Sequence, residues 1–231
     1  MALAIVMVWG LTEPPQVDGG AAARAESKVG RLFVADLRTS TLLLWAFAFL
    51  VFVAAYILTS WTPTMLIEYG FSATEAPLGL AYVSLGGILG GVLLIPLAAR
   101  LGVARALVLA TTFSVICMVI ASRFELGNML LLLLLGGAGM GLYASGIGQL
   151  ALAVSLYSIG TRTTGVGWAA ALGRIGSIVG PAIAGILLAF SLPARDIIFL
   201  TALPVVVGVL CATVLWRHKA GARTGADVVG R

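Results

Sequence analysis

YSIGTRTTGVGWAAALGRIGSIVGPAIAG, residues Tyr157 to Gly185, is a long run of small and apolar side chains that holds one arginine, Arg174, deep in its interior. No acidic residue lies within fifteen positions on either side of it. The run reads as a helix starting near Gly165, which places Arg174 about nine residues, or roughly 14 Å, into it. An unpaired cation near the centre of a bilayer costs at least ~2.5–3.5 kcal/mol on insertion scales and commonly marks a ligand or ion pathway. The competing reading is a structural arginine bonded to carbonyl groups at a helix break.

The rest of the chain is of the same kind. Its 231 residues are 61% hydrophobic and only 10% charged, with a mean hydropathy of +1.11. Soluble domains average ~45–50% apolar and ~25% charged, so the composition is that of a membrane protein whose partner is the lipid bilayer. The net charge of +5 does not point to nucleic acid, because the basic residues lie singly at the ends of apolar runs. Cys117 and Cys211 both fall inside apolar runs, so neither a disulfide nor a metal site is expected.

Six apolar segments follow one another, at about 41–61, 78–98, 103–121, 127–150, 165–190 and 197–216. Each is near the ~20 residues a transmembrane helix needs, and none contains an acidic side chain. Open strands cannot span lipid, and the alternation of a barrel is absent. The expected fold is an all-α membrane protein of six transmembrane helices, with the first ending at Thr62–Pro63–Thr64. Residues 1–40 read as an N-terminal segment and polar linker, 41–216 as the transmembrane domain and 217–231 as a tail. The apolar run at 1–11 is too short to span and lacks the basic residue of a secretory signal, so it reads as a helix remnant or a frayed end.

Eleven of the 14 basic residues, among them Arg38, Arg100, Arg105, Arg162 and Arg217, flank the segments on one side, against Arg123 and Arg195 on the other. By the positive-inside rule both termini are cytoplasmic, in a multi-pass protein of the cell membrane. Trp61 and Trp216 close the first and sixth segments as interfacial residues, and His218 is juxtamembrane with no chemistry assigned.

Small residues recur on single helix faces: Gly79, Gly86 and Gly90 in the second segment, Gly137, Gly141, Ser145 and Gly148 in the fourth, and Gly173, Gly176, Gly180 and Ala184 in the fifth. Such stripes serve tight static packing or surfaces that slide against one another. Pro181 removes a helix hydrogen bond and invites a kink. At 100° per residue Arg174 sits beside the glycine stripe and is expected to point into the bundle. Gln149 flanks the stripe of the fourth segment, available for a helix–helix hydrogen bond or for a ligand. Trp45, Phe49, Phe52 and Tyr56 form an aromatic stripe that is lipid-facing, core, or a wall for an aromatic ligand. No phosphate-binding loop, zinc motif or hydrolytic triad appears, so an enzyme is not expected and no cofactor is called for. Proton coupling normally needs an ionisable carboxylate or histidine within the membrane. The six segments contain none, so a proton carrier would have to lie on another polypeptide or another part of the protein.

Taken together, these residues resemble the C-terminal half of a major facilitator superfamily transporter, most closely the aromatic acid:proton symporters. The likeness rests on Trp61, Pro63 and Thr64, on Gly148 and Gln149, and on the run Tyr157, Arg162, Thr164, Gly165, Gly167, Trp168, Gly173, Arg174, Gly176, Gly180 and Pro181. In the loop after the second segment, Gly91, Leu97, Arg100 and Gly102 fit the family pattern, whereas Ile95 and Ala99 replace its glycine and aspartate. Ser158 likewise replaces a proline. The resemblance implies a secondary carrier, or half of one, moving a small organic anion such as an aromatic carboxylate. Arg174 would be the counter-charge, Gln149 a hydrogen-bonding neighbour, and Tyr56 and Phe52 ring contacts. Gly173, Gly176, Gly180, Pro181, Arg100 and Arg162 would serve packing and gating. Family members carry substrate between two six-helix halves near the midplane, so the second wall would come from a separate N-terminal half or a second copy. The alternative is a non-transporting membrane protein or scaffold.

Overall fold

A computed structural model describes residues 29–229 of the chain. The expected remnant at 1–11, the linker up to residue 28 and the basic residues Arg24, Lys28 and Arg231 lie outside the described residues. After a short 3-10 turn at Gly30–Phe33 come six helices: α1 (Ala35–Glu68), α2 (Pro77–Leu101), α3 (Val103–Arg123), α4 (Asn128–Leu156), α5 (Ile159–Ala189) and α6 (Ala194–Val229). All six are long and apolar enough to cross a membrane. The fold is therefore an all-α six-helix membrane bundle.

Each apolar segment lies inside one helix to within a residue, but the helices overrun the segments. α1 does not stop at Thr62–Pro63–Thr64 and continues to Glu68. Pro63 removes one backbone donor, yet Met65 and Leu66 beyond it are 1% exposed, so tertiary packing carries the helix past the proline. α6 likewise runs on from Trp216 to Val229. Hydropathy marks where lipid ends, whereas a helix continues as long as its residues tolerate the conformation.

Pairwise packing arranges α2, α4, α1 and α5 as one row, with α3 and α6 behind, α3 against α4 and α6 against α1. The two closest pairs, α2 with α4 and α1 with α5, are built on glycine. A Cβ at Gly86 or Gly90 would overlap the carbonyl oxygens of Gly136 and Met140, respectively. On the other flank, a Cβ at Gly176 or Gly180 would overlap those of Phe49 and Val53. In lipid there is no hydrophobic drive between helices, so backbone-to-backbone dispersion is the attraction that these glycines permit.

The helix ends distal to the α2–α3 turn are tied across the bundle. The backbone N–H of Ala194 donates to the Glu68 carboxylate (2.8 Å), which caps α6 from the end of α1. Arg123 pairs with Asp196 (3.5 Å) and Arg195 with Glu125 (3.6 Å), both exposed and each worth little alone. At the opposite end, Gly102 joins α2 to α3 with φ 85° and ψ 151°, a region essentially restricted to glycine. Nothing lies within 4 Å of a Cβ placed there. Gly102→Ala is therefore expected to cost about 1–3 kcal/mol through backbone strain alone. The check is a lowered thermal midpoint of the purified protein; an unchanged midpoint would contradict the strained geometry.

Candidate functional site

The fifth helix presents two faces of opposite character. Thr161, Gly165, Ala169, Gly173, Gly176, Gly180 and Ala184 are buried, and the glycines from 173 onward press on α1 or on Gln149 of α4. One hundred degrees round the helix, the Arg174 side chain is exposed. It does not point into the six-helix bundle, as the stripe alone suggested: the close α1–α5 contact consumes the glycine face and turns the next residue outward. α5 begins at Ile159 and ends at Ala189, so Arg174 stands midway, with about 22 Å of helix on either side. Among the described residues it makes no side-chain hydrogen bond or ion pair; only its carbonyl is engaged, accepting from Ser177 Oγ (2.6 Å).

The other expected site residues gather at the adjoining α1–α4–α5 junction. Phe52 is wedged between two glycines: a Cβ at Gly146 would lie 3.2 Å from its Cε2, and one at Gly173 would lie 3.3 Å from its Cδ2. It stacks on Tyr56, with ring centroids 6.0 Å apart and planes 17° apart. Gln149 sits beside the same ledge, its Nε2 3.3 Å from a Cβ at Gly173. The residue is 1% exposed, and its Oε1 is buried with no hydrogen-bond partner among the described residues. A buried unpaired carbonyl oxygen costs about 1–3 kcal/mol. The helix–helix hydrogen bond that the sequence allowed for Gln149 is thus not made through this oxygen.

Tyr143 and Thr59 were not singled out from the sequence. The Thr59 hydroxyl donates to Ala55 O (2.8 Å), so the 2.8 Å contact between Thr59 Oγ1 and Tyr143 OH has the tyrosine as donor. This bond crosses from α1 to α4 one turn along from Tyr56. Only the pairing of helices reveals it, since the two residues are 84 positions apart.

Trp61 has a role beyond the membrane interface. Its indole N–H donates to Pro181 O (3.0 Å), and its ring lies 3.2 Å from where a Cβ at Gly185 would sit. It locks α1 to α5 at the proline. Toward the other end, Trp168 stacks on Trp45 (5.4 Å), and a Cβ at Gly165 would overlap the Tyr157 ring. Tyr157 OH in turn donates to Thr41 Oγ1 (3.2 Å), and Thr41 to Leu32 O (3.1 Å). Burial raises the Tyr157 phenol above its ordinary pKa. Of the remaining expected residues, Arg162 Nε donates to Tyr157 O (3.4 Å). Arg100 ends α2 exposed, without an ion pair or hydrogen bond among the described residues. The aromatic stripe of α1 therefore faces neighbouring helices, half-buried, rather than lipid alone.

The chain has a consistent set of relatives among curated proteins. The chain is 32% identical over 203 residues to the 3-(3-hydroxy-phenyl)propionate transporter of Escherichia coli, covering 85% of this chain and 48% of that protein. It is 28% identical over 187 residues to the benzoate transport protein of Acinetobacter baylyi (81% of this chain, 40% of that protein). To the gallate transporter of Pseudomonas putida it is 28% identical over 174 residues (75% and 39%). No protein-family model matches the chain. The chain spans less than half the length of these relatives, as a six-helix half of a longer carrier would. All three are named as transporters, not enzymes.

Proposed function

We propose, from the homology of this chain to aromatic-acid transporters of the major facilitator type, that it supplies one six-helix half of a secondary carrier for aromatic carboxylates. The observation that carries the reading is Arg174: a guanidinium exposed at the midpoint of a 31-residue helix, unpaired among the described residues, one position from the ledge that holds Phe52 and Gln149. A cation so placed needs an anion, and the described spans contain no acidic residue near it. A benzoate-like substrate supplies both a carboxylate for Arg174 and a ring for the Phe52–Tyr56 pair. Gln149 offers a hydrogen-bonding neighbour once the junction opens.

The second wall comes from a separate six-helix chain or a second copy, and any proton-carrying group lies outside these six spans. The distribution of basic residues supports a cell-membrane protein with both termini in the cytoplasm. Labelled benzoate, offered to the chain in detergent and in proteoliposomes, tests this. Saturable binding is expected, competed by 4-hydroxybenzoate and not by uncharged benzamide. Flux from the chain alone would assign the second wall to a second copy, and binding without flux to a separate chain. Neither binding nor flux, or binding indifferent to charge, would overturn the proposal.

A further inference from the structure

α2 and α3 each pack along α4 but touch one another much less, which leaves a groove between them. It encloses a cavity of about 290 Å³ with almost wholly apolar walls: Leu93 and Leu97 from α2, Leu109 and Phe113 from α3, and a floor that includes Met140 and Ala144 of α4. Leu93, Leu109 and Phe113 are exposed, so the groove opens sideways toward lipid rather than toward the α1–α4–α5 junction.

Both walls end in the same charge. On α2, Leu93, Leu97 and Arg100 are spaced four and three residues apart; on α3, Arg105, Leu109 and Phe113 are spaced four and four. These spacings keep each set on one helix face, with the arginine one turn nearer the α2–α3 turn than the wall it shares that face with. Arg100 has no hydrogen bond or ion pair among the described residues, and Arg105 lies over the Trp216 ring of α6, 5.1 Å from its centroid, with no hydrogen bond or ion pair among the described residues. The aspartate that the family pattern would set beside Arg100 is Ala99 here, so no acidic neighbour in the turn neutralises the pair.

We propose that this groove is a binding site for an anionic phospholipid, with one acyl chain lying between α2 and α3 and the phosphate held by Arg100 and Arg105. Lipid tails gain nothing by leaving lipid, so the acyl chain is held by dispersion on three sides and the headgroup supplies the selectivity. Basic residues close to a membrane surface attract acidic headgroups by about fivefold each. The site is separate from the Arg174 junction and does not rest on the transport reading.

Native mass spectrometry of the detergent-purified chain, titrated with phosphatidylglycerol and phosphatidylcholine of matched acyl chains, tests it. One phosphatidylglycerol should be retained with about tenfold or greater preference. Arg100→Gln should cut that preference about fivefold, and Arg100→Gln with Arg105→Gln should abolish it. Leu109→Trp, at an exposed position on the groove wall, should fill the groove and weaken both lipids alike, with an unchanged thermal midpoint showing that the variant still folds. Millimolar inorganic phosphate should not displace the lipid. Equal retention of the two lipids, retention unchanged in the double variant or in Leu109→Trp, or displacement by phosphate alone would each overturn the proposal.

Discussion

Arg174→Ala is expected to abolish aromatic-acid binding and uptake, by about 30-fold or more, while leaving the protein inserted and folded. The two halves of that expectation have the same origin. The guanidinium is exposed at mid-helix and satisfies no partner among the described residues, so the fold loses no hydrogen bond or ion pair among them when it is removed. Insertion should improve, because a midplane arginine costs at least ~2.5–3.5 kcal/mol. A bound carboxylate, in contrast, loses a charge-assisted pair in a water-poor site, for which about 2–5 kcal/mol is the usual scale. Arg174→Lys should fall between, since it keeps the charge but loses the planar fork that grips both carboxylate oxygens. Labelled benzoate uptake, normalised to membrane-inserted protein, checks the series; wild-type uptake in Arg174→Ala would remove Arg174 from the site.

The second large effect is on stability, at the opposite flank. Gly86→Ala adds a single methyl group, and that methyl overlaps the carbonyl oxygen of Gly136. The obstacle is backbone, so no rotamer change relieves it and α2 must move away from α4. The close contact at Gly90, where Met140 O plays the same part, would open with it. A loss of about 3 kcal/mol or more is expected, at the upper end of overpacking costs. Gly167→Ala is the matched control: the same chemical change in helix α5, with nothing within 4 Å of the added Cβ. There the helix gains up to ~1 kcal/mol from propensity. Reversible unfolding in mixed micelles measures both, and equal behaviour of the two variants would contradict the glycine-mediated packing of α2 on α4.

These two residues also show how far the sequence could be read. Gly86 and Gly90 announced a close approach by spacing alone, because only a helix neighbour makes use of a bare face every four residues. Their partner in the fold, α4, was not announced, since a stripe does not name what it faces. Arg174 was visible as a cost, but α5 starts at Ile159 rather than near Gly165, so it stands at mid-helix instead of about nine residues in. Its direction did not survive. The sequence placed it correctly beside the stripe, but it took the α1–α5 contact to decide that the stripe faces inward and the arginine outward.

The remaining differences have a similar cause. Trp61 was read as an interfacial aromatic because it ends an apolar segment; that its indole also donates to Pro181 O, 120 residues away, was not readable. The Thr59–Tyr143 bond and the groove between α2 and α3 are products of helix pairing, which no local pattern encodes. Helix existence was legible because ~20 apolar residues allow one structure in lipid. Helix ends were not, because Pro63 loses locally to the burial of Met65 and Leu66.

The claim on which the functional account turns is that Arg174 meets the substrate carboxylate. Dipolar recoupling by solid-state NMR, between benzoate labelled with ¹³C at its carboxylate and arginine labelled with ¹⁵N in the reconstituted protein, reads that contact directly. A carboxylate-to-guanidinium coupling is expected at saturating benzoate, and it should disappear in Arg174→Lys. A coupling that persists in Arg174→Lys, or no arginine coupling to bound benzoate at all, would contradict the claim.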